Sequence, residues 1–405
     1  MKIEIDTVRG FQDIMPPESL KRSAVKRIIE KNFKLYGFVP VETPVIELDE
    51  LMKSDSLEED AAVSDRFRLK DRGGRNLGLR YEFTFQLKRI FRQNPNIKMP
   101  FRRYQIGEVF RDEPIGAGRF RQFTQCDADI IGDASIDADA ECLALISDIL
   151  KELKIESEIQ VNNRKLLNAI LESVQITDRT KVMRELDKME KVGEDATKSE
   201  LRKYADGNQI MTLFKLLEKP LEFFRKNAFD GAEELESLIE KCKDYGVKVK
   251  FKPLMIRGLG YYTGNIFEIK QPGKSTIAAG GRYDKLVGKL LDREIPAVGI
   301  SFGLERVTEI AKIKSESMPA MLLSINEDDE MIALAKKLRK ESVSCLTMSD
   351  KPGKALEYAN AVGIPFVVFI GEEEIKKKKF KLRDMKSGLE KDITEKQLIA
   401  FLKTK

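Results

Sequence analysis

Two runs of alternating side chains, Arg103 to Arg111 and Arg121 to Ile131, flank a polar connection that contains Pro114, Gly116 and Gly118. Alternation puts successive side chains on opposite faces of a strand, and the glycine-containing link favours an antiparallel pair over a parallel one. In the second run Gln125, Asp127, Asp129 and Ile131 share one face, while Thr124, Cys126, Ala128 and Ile130 share the other. The small, mostly apolar set can pack on a core, which leaves an amide and two carboxylates for a cavity. Arg111 ends the first run where the link begins, and its planar five-donor guanidinium suits a carboxylate or phosphate oxygen. Arg119 and Arg121 add positive charge to the same stretch. Taken alone, a solvated arginine-rich hairpin explains these arginines equally well.

Composition narrows the chemistry. The 405 residues, 42% hydrophobic and 34% charged, are enough for a soluble globular protein of more than one domain. The start, Met1-Lys2-Ile3-Glu4-Ile5-Asp6, has no apolar secretory core, and no run is long and apolar enough to span a membrane. A cytoplasmic protein without membrane contact is expected. Four cysteines without CxxC spacing support neither a disulfide framework nor a thiolate zinc site. Lysines and arginines number 72 against 67 acids, a net charge of +5 that permits nucleic-acid binding without establishing it. There is no histidine at all, so no imidazole base, triad or imidazole metal ligand can operate here. Arginine clamps and carboxylates remain available.

Helical spacing is expected over Pro17 to Tyr36 and Ala138 to Leu153, and across residues 165–245, where Leu201 to Leu217 and Glu233 to Lys243 stand out. That block reads as a helical insertion within a domain of residues 1–318. Tyr81 to Gln86 reads as extended, with Glu82, Thr84 and Gln86 opposite Tyr81, Phe83 and Phe85. Glu82 could receive an ammonium group and Thr84 could supply a further acceptor, although a half-exposed strand accounts for this pattern by itself. Arg257-Gly258-Leu259-Gly260-Tyr261-Tyr262-Thr263-Gly264 combines backbone freedom with two phenols, and Ala278 to Asp284 adds a second glycine-rich turn. Gly273-Lys274-Ser275 is not a phosphate loop, because Glu268 stands where the first glycine is required. Ser315 to Pro319 reads as a linker, and residues 319–405 alternate helix and strand like a small α/β module. The acidic run Glu372-Glu373-Glu374, followed by Lys376 to Lys379, suits a solvated helix face.

Together these segments resemble the histidyl-tRNA synthetases, a family of class II aminoacyl-tRNA synthetases. The second class motif is carried by Phe110-Arg111-Asp112-Glu113 and Gly118-Arg119-Phe120-Arg121, and the third by Gly303-Leu304-Glu305-Arg306; a weak first motif is centred near Pro44. Arg257-Gly258-Leu259, Tyr261-Tyr262-Thr263-Gly264 and Ala279-Gly280-Gly281-Arg282-Tyr283-Asp284 point to the histidyl branch. The resemblance implies an α+β fold: an antiparallel-sheet catalytic domain with a helical insertion, followed by a C-terminal α/β anticodon-binding domain. It implies an ATP-dependent ligase that forms histidyl-adenylate and passes histidine to the 3′ end of its tRNA, working as a homodimer. Arg111 and Arg257 then act in catalysis, with Arg111, Glu113, Arg119 and Arg306 around ATP. Glu82, Thr84, Gln125, Asp129, Tyr261, Tyr262 and Tyr283 surround the amino acid. Magnesium is expected with the nucleotide, with Glu108 and Glu113 as candidate contacts and the ligands otherwise unassigned. The chain departs from the family text at Gly260, usually an aspartate, and at Phe83 and Phe85. Two alternatives stay open: an inactive, synthetase-like regulatory subunit of histidine biosynthesis, and a nucleic-acid-binding scaffold without chemistry.

Overall fold

The two alternating runs become neighbouring strands at the heart of an eight-stranded sheet. The computed structural model describes residues 5–52, 65–116, 118–257, 260–272, 276–313 and 318–404. Met1 to Glu4, Gly258, Leu259, the Gly273-Lys274-Ser275 run and most of the expected linker from Ser315 lie outside the described residues. The chain divides into two compact units, Met1–Ile313 and Lys314–Lys405.

In chain order the first unit carries β1 (Val39–Pro40), β2 (Ile46–Leu48), β3 (Arg68–Lys70), β4 (Asn76–Leu79), β5 (Phe101–Phe110), β6 (Gln122–Ile131), β7 (Glu158–Asn163), β8 (Val249–Phe251), β9 (Asn265–Lys270), β10 (Thr276–Arg282) and β11 (Ala297–Gly303). The large sheet runs β1-β5-β6-β11-β10-β9-β7-β8. Its six central strands pair antiparallel, and only the short edge strands β1 and β8 pair parallel. Strands β2, β4 and β3 form a separate antiparallel sheet.

Register decides what each face of the large sheet presents. Cys126 and Ala128 of β6 pair with Ile106 and Tyr104 of β5 and with Phe302 and Ile300 of β11. This apolar face packs on helices Glu18–Leu35 and Ile136–Glu152, which contribute Val25, Ile29, Phe33, Cys142, Leu145 and Ile149 to one core. Phe33 alone meets the rings of Phe38, Tyr104 and Phe302. Each such fully buried side chain contributes about 1.5–3 kcal/mol. The opposite face aligns Arg103, Gln105 and Gly107 of β5 with Asp129, Asp127 and Gln125 of β6, and these with Gly299, Ser301 and Gly303 of β11. A continuous polar surface three strands wide therefore follows from one choice of register.

Two local readings of the sequence change. Tyr81 to Gln86 is not extended: Phe85 opens the helix Phe85–Gln93 and Thr84 already has helical dihedrals, φ −81 and ψ −38. The Glu82 carboxylate accepts the Phe85 N–H at 3.0 Å, and so satisfies a donor of the first turn. Gln86 is therefore turned into the protein instead of sharing a face with Glu82 and Thr84, and its side-chain atoms are buried without partners. Nor is Leu201 to Leu217 one helix. Leu201 ends Glu194–Leu201, and a capping box of Asp206 with Gln209 starts Gly207–Leu217 afresh. All the segments between β7 and β8 are helices or their connections, from Arg164–Ser173 to Ala232–Asp244.

The second unit carries β12 (Ala320–Ser324), β13 (Cys345–Ser349), β14 (Phe366–Ile370), β15 (Phe380–Asp384) and β16 (Glu390–Ile393), ordered β13-β12-β14-β15-β16. The first three pair parallel and the last two join antiparallel. Helices Asp328–Lys340 and Glu395–Lys403 fill one apolar layer, and Pro352–Ala361 fills another. The acidic-then-basic run is the exposed helix Glu372–Lys377, laced by Glu372–Lys376 and Glu373–Lys377 pairs. Such exposed pairs contribute little, because water and salt screen them.

One buried ion pair pins β10 to the helix behind it. Arg282 directs its Nε to Asp139 at 3.0 Å and its other nitrogens to the carbonyls of Asp133 and Ser135. Burial pushes the Asp139 carboxyl up to about 6, and Arg282 is the main influence opposing that rise. Asp139→Ala would remove the buried carboxylate from Arg282, leaving it the more exposed Asp284 at 3.3 Å, and should destabilise the first unit by about 3 kcal/mol in denaturant unfolding.

Candidate active site

The polar face of the sheet floors a cavity of ≈ 560 Å³. Its wall includes Glu82, Thr84, Arg111, Glu113, Arg119, Gln125, Arg257, Tyr261, Tyr262 and Arg306, ten of the expected site residues. These come from the segment before helix Phe85–Gln93, the connection between β5 and β6, β6 itself, the glycine-rich segment before β9 and the helix after β11, so only the folded sheet unites them.

Arg111 stands at the open end of β5. Its guanidinium stacks on the rings of Tyr81 at 4.3 Å and Phe123 at 5.1 Å, and Nε points to the Tyr81 carbonyl at 3.4 Å. Two aromatic faces hold the planar group while leaving donors for an anion. Arg119 instead gives Nε to Glu113 at 2.7 Å, and Glu113 also accepts the Tyr81 hydroxyl at 3.1 Å. Arg306 donates to the Thr276 carbonyl, which ties the helix Leu304–Ile310 to the start of β10. Its neighbour Glu305 accepts the Thr124 backbone N–H at 2.9 Å and pairs with Arg22 of the first helix. Arg257 reaches Glu268 at 3.3 Å, while its buried Nε has no partner. Gly260 is exposed and an added Cβ would meet no atom within 4 Å, so the backbone does not require glycine there. Arg257 takes its acceptor from Glu268 instead.

A second polar cluster lies along β6. Glu82 is buried, accepts the Tyr261 hydroxyl at 3.2 Å, and burial raises its pKa against the opposing pull of Arg111. Tyr261 meets the rings of Phe85, Tyr262 and Tyr283 at 6.3, 4.9 and 5.8 Å. Phe83 and Phe85 are themselves buried and do not line the cavity. Asp129 and Tyr283 are also absent from the wall: Tyr283 donates its hydroxyl to Asp129 just behind it. Arg103, fully buried, sits 2.7 Å from the other Asp129 oxygen, in a charge contact too oblique for a hydrogen bond. Arg103 also donates to the Phe83 carbonyl at 3.2 Å.

Several residues of the cavity were not among the expected ones. Asp127 lines it directly and receives the Gln125 amide at 2.9 and 3.0 Å. The strand pattern placed Asp127 on this face, but nothing in the sequence ranked it beside Asp129. Asp187 and Lys191 reach the cavity from the helical insertion, a contribution with no local sequence signal. Glu108 is exposed and does not line the cavity, so of the two carboxylates expected near a metal only Glu113 is in place. Among the described residues no group of three potential ligands could hold a metal ion.

A stacked arginine at a strand end, an arginine opening the helix after β11 and carboxylates along the floor make a receptor for a compound that is both anionic and cationic. The Histidyl-tRNA synthetase family model matches residues 10–307, and the Anticodon binding domain model matches residues 320–405. The chain belongs to the histidyl-tRNA synthetase family. It is 37% identical to "Histidine--tRNA ligase 1" of Bacillus cereus over 96% of this chain and 95% of that one. A histidyl-tRNA synthetase structure from Nostoc sp. PCC 7120 superposes with a TM-score of 0.87 at 28% identity, covering 100% of both chains. A Bacillus halodurans C protein titled "ATP phosphoribosyltransferase regulatory subunit/histidyl-tRNA synthetase" shares the fold at 22% identity and a TM-score of 0.77, over 92% of this chain and 99% of that chain. The α+β class II architecture with a C-terminal α/β anticodon-binding domain is thus the one this family builds.

Gly299 lies opposite Asp129 on β11, and a Cβ there would fall on the Asp129 carboxylate oxygen. Gly299→Ala should displace Asp129 from Tyr283 and Arg103. Steady-state kinetics should then show a KM for the amino acid raised roughly tenfold or more, with a smaller change for ATP.

Proposed function

We propose that the cavity joins histidine to ATP, with each expected residue in the role its position allows. The chain is an ATP-dependent histidine–tRNA ligase by family. The observation that carries the residue assignment is the stacking of Arg111 between Tyr81 and Phe123, at the junction of the arginine-rich and carboxylate-rich halves. Glu82, Thr84 and Gln125 take the ammonium, while Tyr262, with Asp129 and Tyr283 behind the wall, supports the imidazole. Arg306, Arg119 and Glu113 border the nucleotide.

In the first step a histidine carboxylate oxygen bonds to the α-phosphorus of ATP and the bond to the pyrophosphate oxygen breaks. No protein nucleophile is consumed, which agrees with a chain lacking histidine. Arg111 and Arg257 align the carboxylate with the phosphate and neutralise charge developing on its oxygens. In the second step a ribose hydroxyl of the terminal tRNA adenosine attacks the histidyl carbonyl carbon, and AMP leaves. The second unit, which matches the anticodon-binding family, would engage the same tRNA.

Magnesium fits this site as an ion carried by the nucleotide. Glu113 is engaged by Arg119 and Tyr81, and Glu305 by Arg22 and the Thr124 N–H, and among the described residues no group of three ligands forms a protein cage, so the ion would rest mainly on the nucleotide phosphates. Its chemistry would be to neutralise the departing pyrophosphate. A homodimer would cover Val45, Ile46 and Leu48, exposed apolar side chains on and beside β2 next to Pro44. No helix among the described residues is long and apolar enough to cross a membrane. The four cysteines are free and buried, which supports a reducing, cytoplasmic setting.

The regulatory-subunit reading is weaker: its structural neighbour shares only the fold, and this chain keeps Arg111, Arg257 and Arg306 together on one cavity. Histidine-dependent ATP–pyrophosphate exchange with magnesium decides between them. The wild-type chain should exchange. Arg257→Ala should lose roughly 10²–10³-fold in kcat with a smaller change in histidine KM. Folded wild-type protein without exchange would leave the regulatory reading.

A further inference from the structure

On the polar face of the sheet, two carboxylates confront one guanidinium. Asp127 and Asp129 are both buried on β6, and Arg103 of β5 is the buried guanidinium beside them. Arg103 spends its close contact on Asp129, at 2.7 Å, and Asp129 also holds the Tyr283 hydroxyl. Among the described residues the donors to Asp127 are neutral: the Gln125 amide at 2.9 and 3.0 Å and the Ser301 hydroxyl, from the residue paired with it on β11. On its β5 side the paired residue is Gln105, whose amide nitrogen is turned to Thr43 at 2.9 Å. Of the three charged groups, Asp127 is the one on the cavity wall.

From this arrangement we propose that Asp127 is a substrate-binding residue of the histidine subsite, supplying the carboxylate whose missing counter-charge is the cationic group of the incoming amino acid. The proposal rests on the ligase reading given above and adds to it a residue that does more than orient Gln125. With both carboxylates ionised the cluster carries one negative charge beyond Arg103, and a buried excess charge is costly unless it is paired or protonated. In keeping with this, burial and the neighbouring Asp129 push the Asp127 carboxyl up to about 7, against Arg103 and its two hydrogen bonds. Nearby titratable groups include Tyr262 and Tyr283, whose pKa values burial raises, and Cys126, whose thiol burial also raises. None of these supplies a positive charge, and of the cations on the same wall Arg257 is paired with Glu268 and Arg111 is stacked on Tyr81 and Phe123, while Glu82 adds a further acid.

The sign of the linkage follows. Burial and the neighbouring Asp129 raise the Asp127 carboxyl, so towards acid pH the carboxylate pair takes up a proton. A substrate cation favours the carboxylate, so binding expels that proton and is opposed as pH falls. Affinity should weaken from pH 8 to pH 6. Histidine titrates its own ring in this range, so 1,2,4-triazole-3-alanine, whose ring does not, is the cleaner probe.

Calorimetric titration of the wild-type protein with this analogue and with histidine, in buffers of different ionisation enthalpy, reads the proton directly. Expected are proton release on analogue binding near pH 6.5, its disappearance by pH 8.5, and loss of the release in Asp127→Asn. The same variant should raise histidine KM about tenfold or more in pyrophosphate exchange, with a smaller effect on kcat. Wild-type analogue binding without proton release, or an Asp127→Asn protein with unchanged histidine KM, would overturn the proposal. The wild-type titration needs no variant to fold. Exchange by the wild type in either case keeps the ligase reading separate from this one.

Discussion

A guanidinium with no solvent contact has to find its charge partner inside the protein, and Arg103 is such a group beneath the centre of the sheet. Leaving it unpaired would cost several kcal/mol, about 3–5 by the scale of broken buried pairs. Asp129 is that partner, and the requirement fixes the register of β5 against β6 as firmly as the apolar side chains on the other face do. Because side chains alternate, a slip of one residue would place Arg103 against the core of Val25, Ile29 and Phe33 and bring Tyr104 into the cavity.

The rest of the site hangs from that register. With Asp129 held by Arg103 and Tyr283, Asp127 and Gln125 fall one and two strand repeats nearer the open end of β6, where Arg111 and Glu305 stand. Charge is graded along the β5–β6 pair, from the buried carboxylates of β6 to the stacked guanidinium at the end of β5. In the proposed reading, a zwitterionic amino acid laid along it would meet carboxylates at its cationic end and arginines at its carboxylate. The fold would then contribute alignment and fixed charge rather than a reactive side chain.

Legibility in the sequence followed the range of the interaction responsible. The antiparallel pair, the first helix and the helical block could be read because their periodicity is written in consecutive residues. Tyr81 to Gln86 misled because six residues of alternation fit a strand, whereas the Glu82 carboxylate capping Phe85 N–H starts a helix there. Leu201 to Leu217 misled for a related reason: its apolar spacing continues across a break that only the Asp206–Gln209 capping box reveals.

Strand alternation determined that Gln125, Asp127 and Asp129 share a face, and the motif residues determined the family and its chemistry. The resemblance singled out Asp129, but neither signal could show which carboxylate lines the cavity. Tertiary structure places Arg103 and Tyr283 behind Asp129 and leaves Asp127 on the wall beside Ser301. It also brought Asp187 and Lys191 from the insertion to the same cavity. The physical reason is that a side chain's face is a property of local backbone geometry, whereas its charge balance depends on every element packed against it.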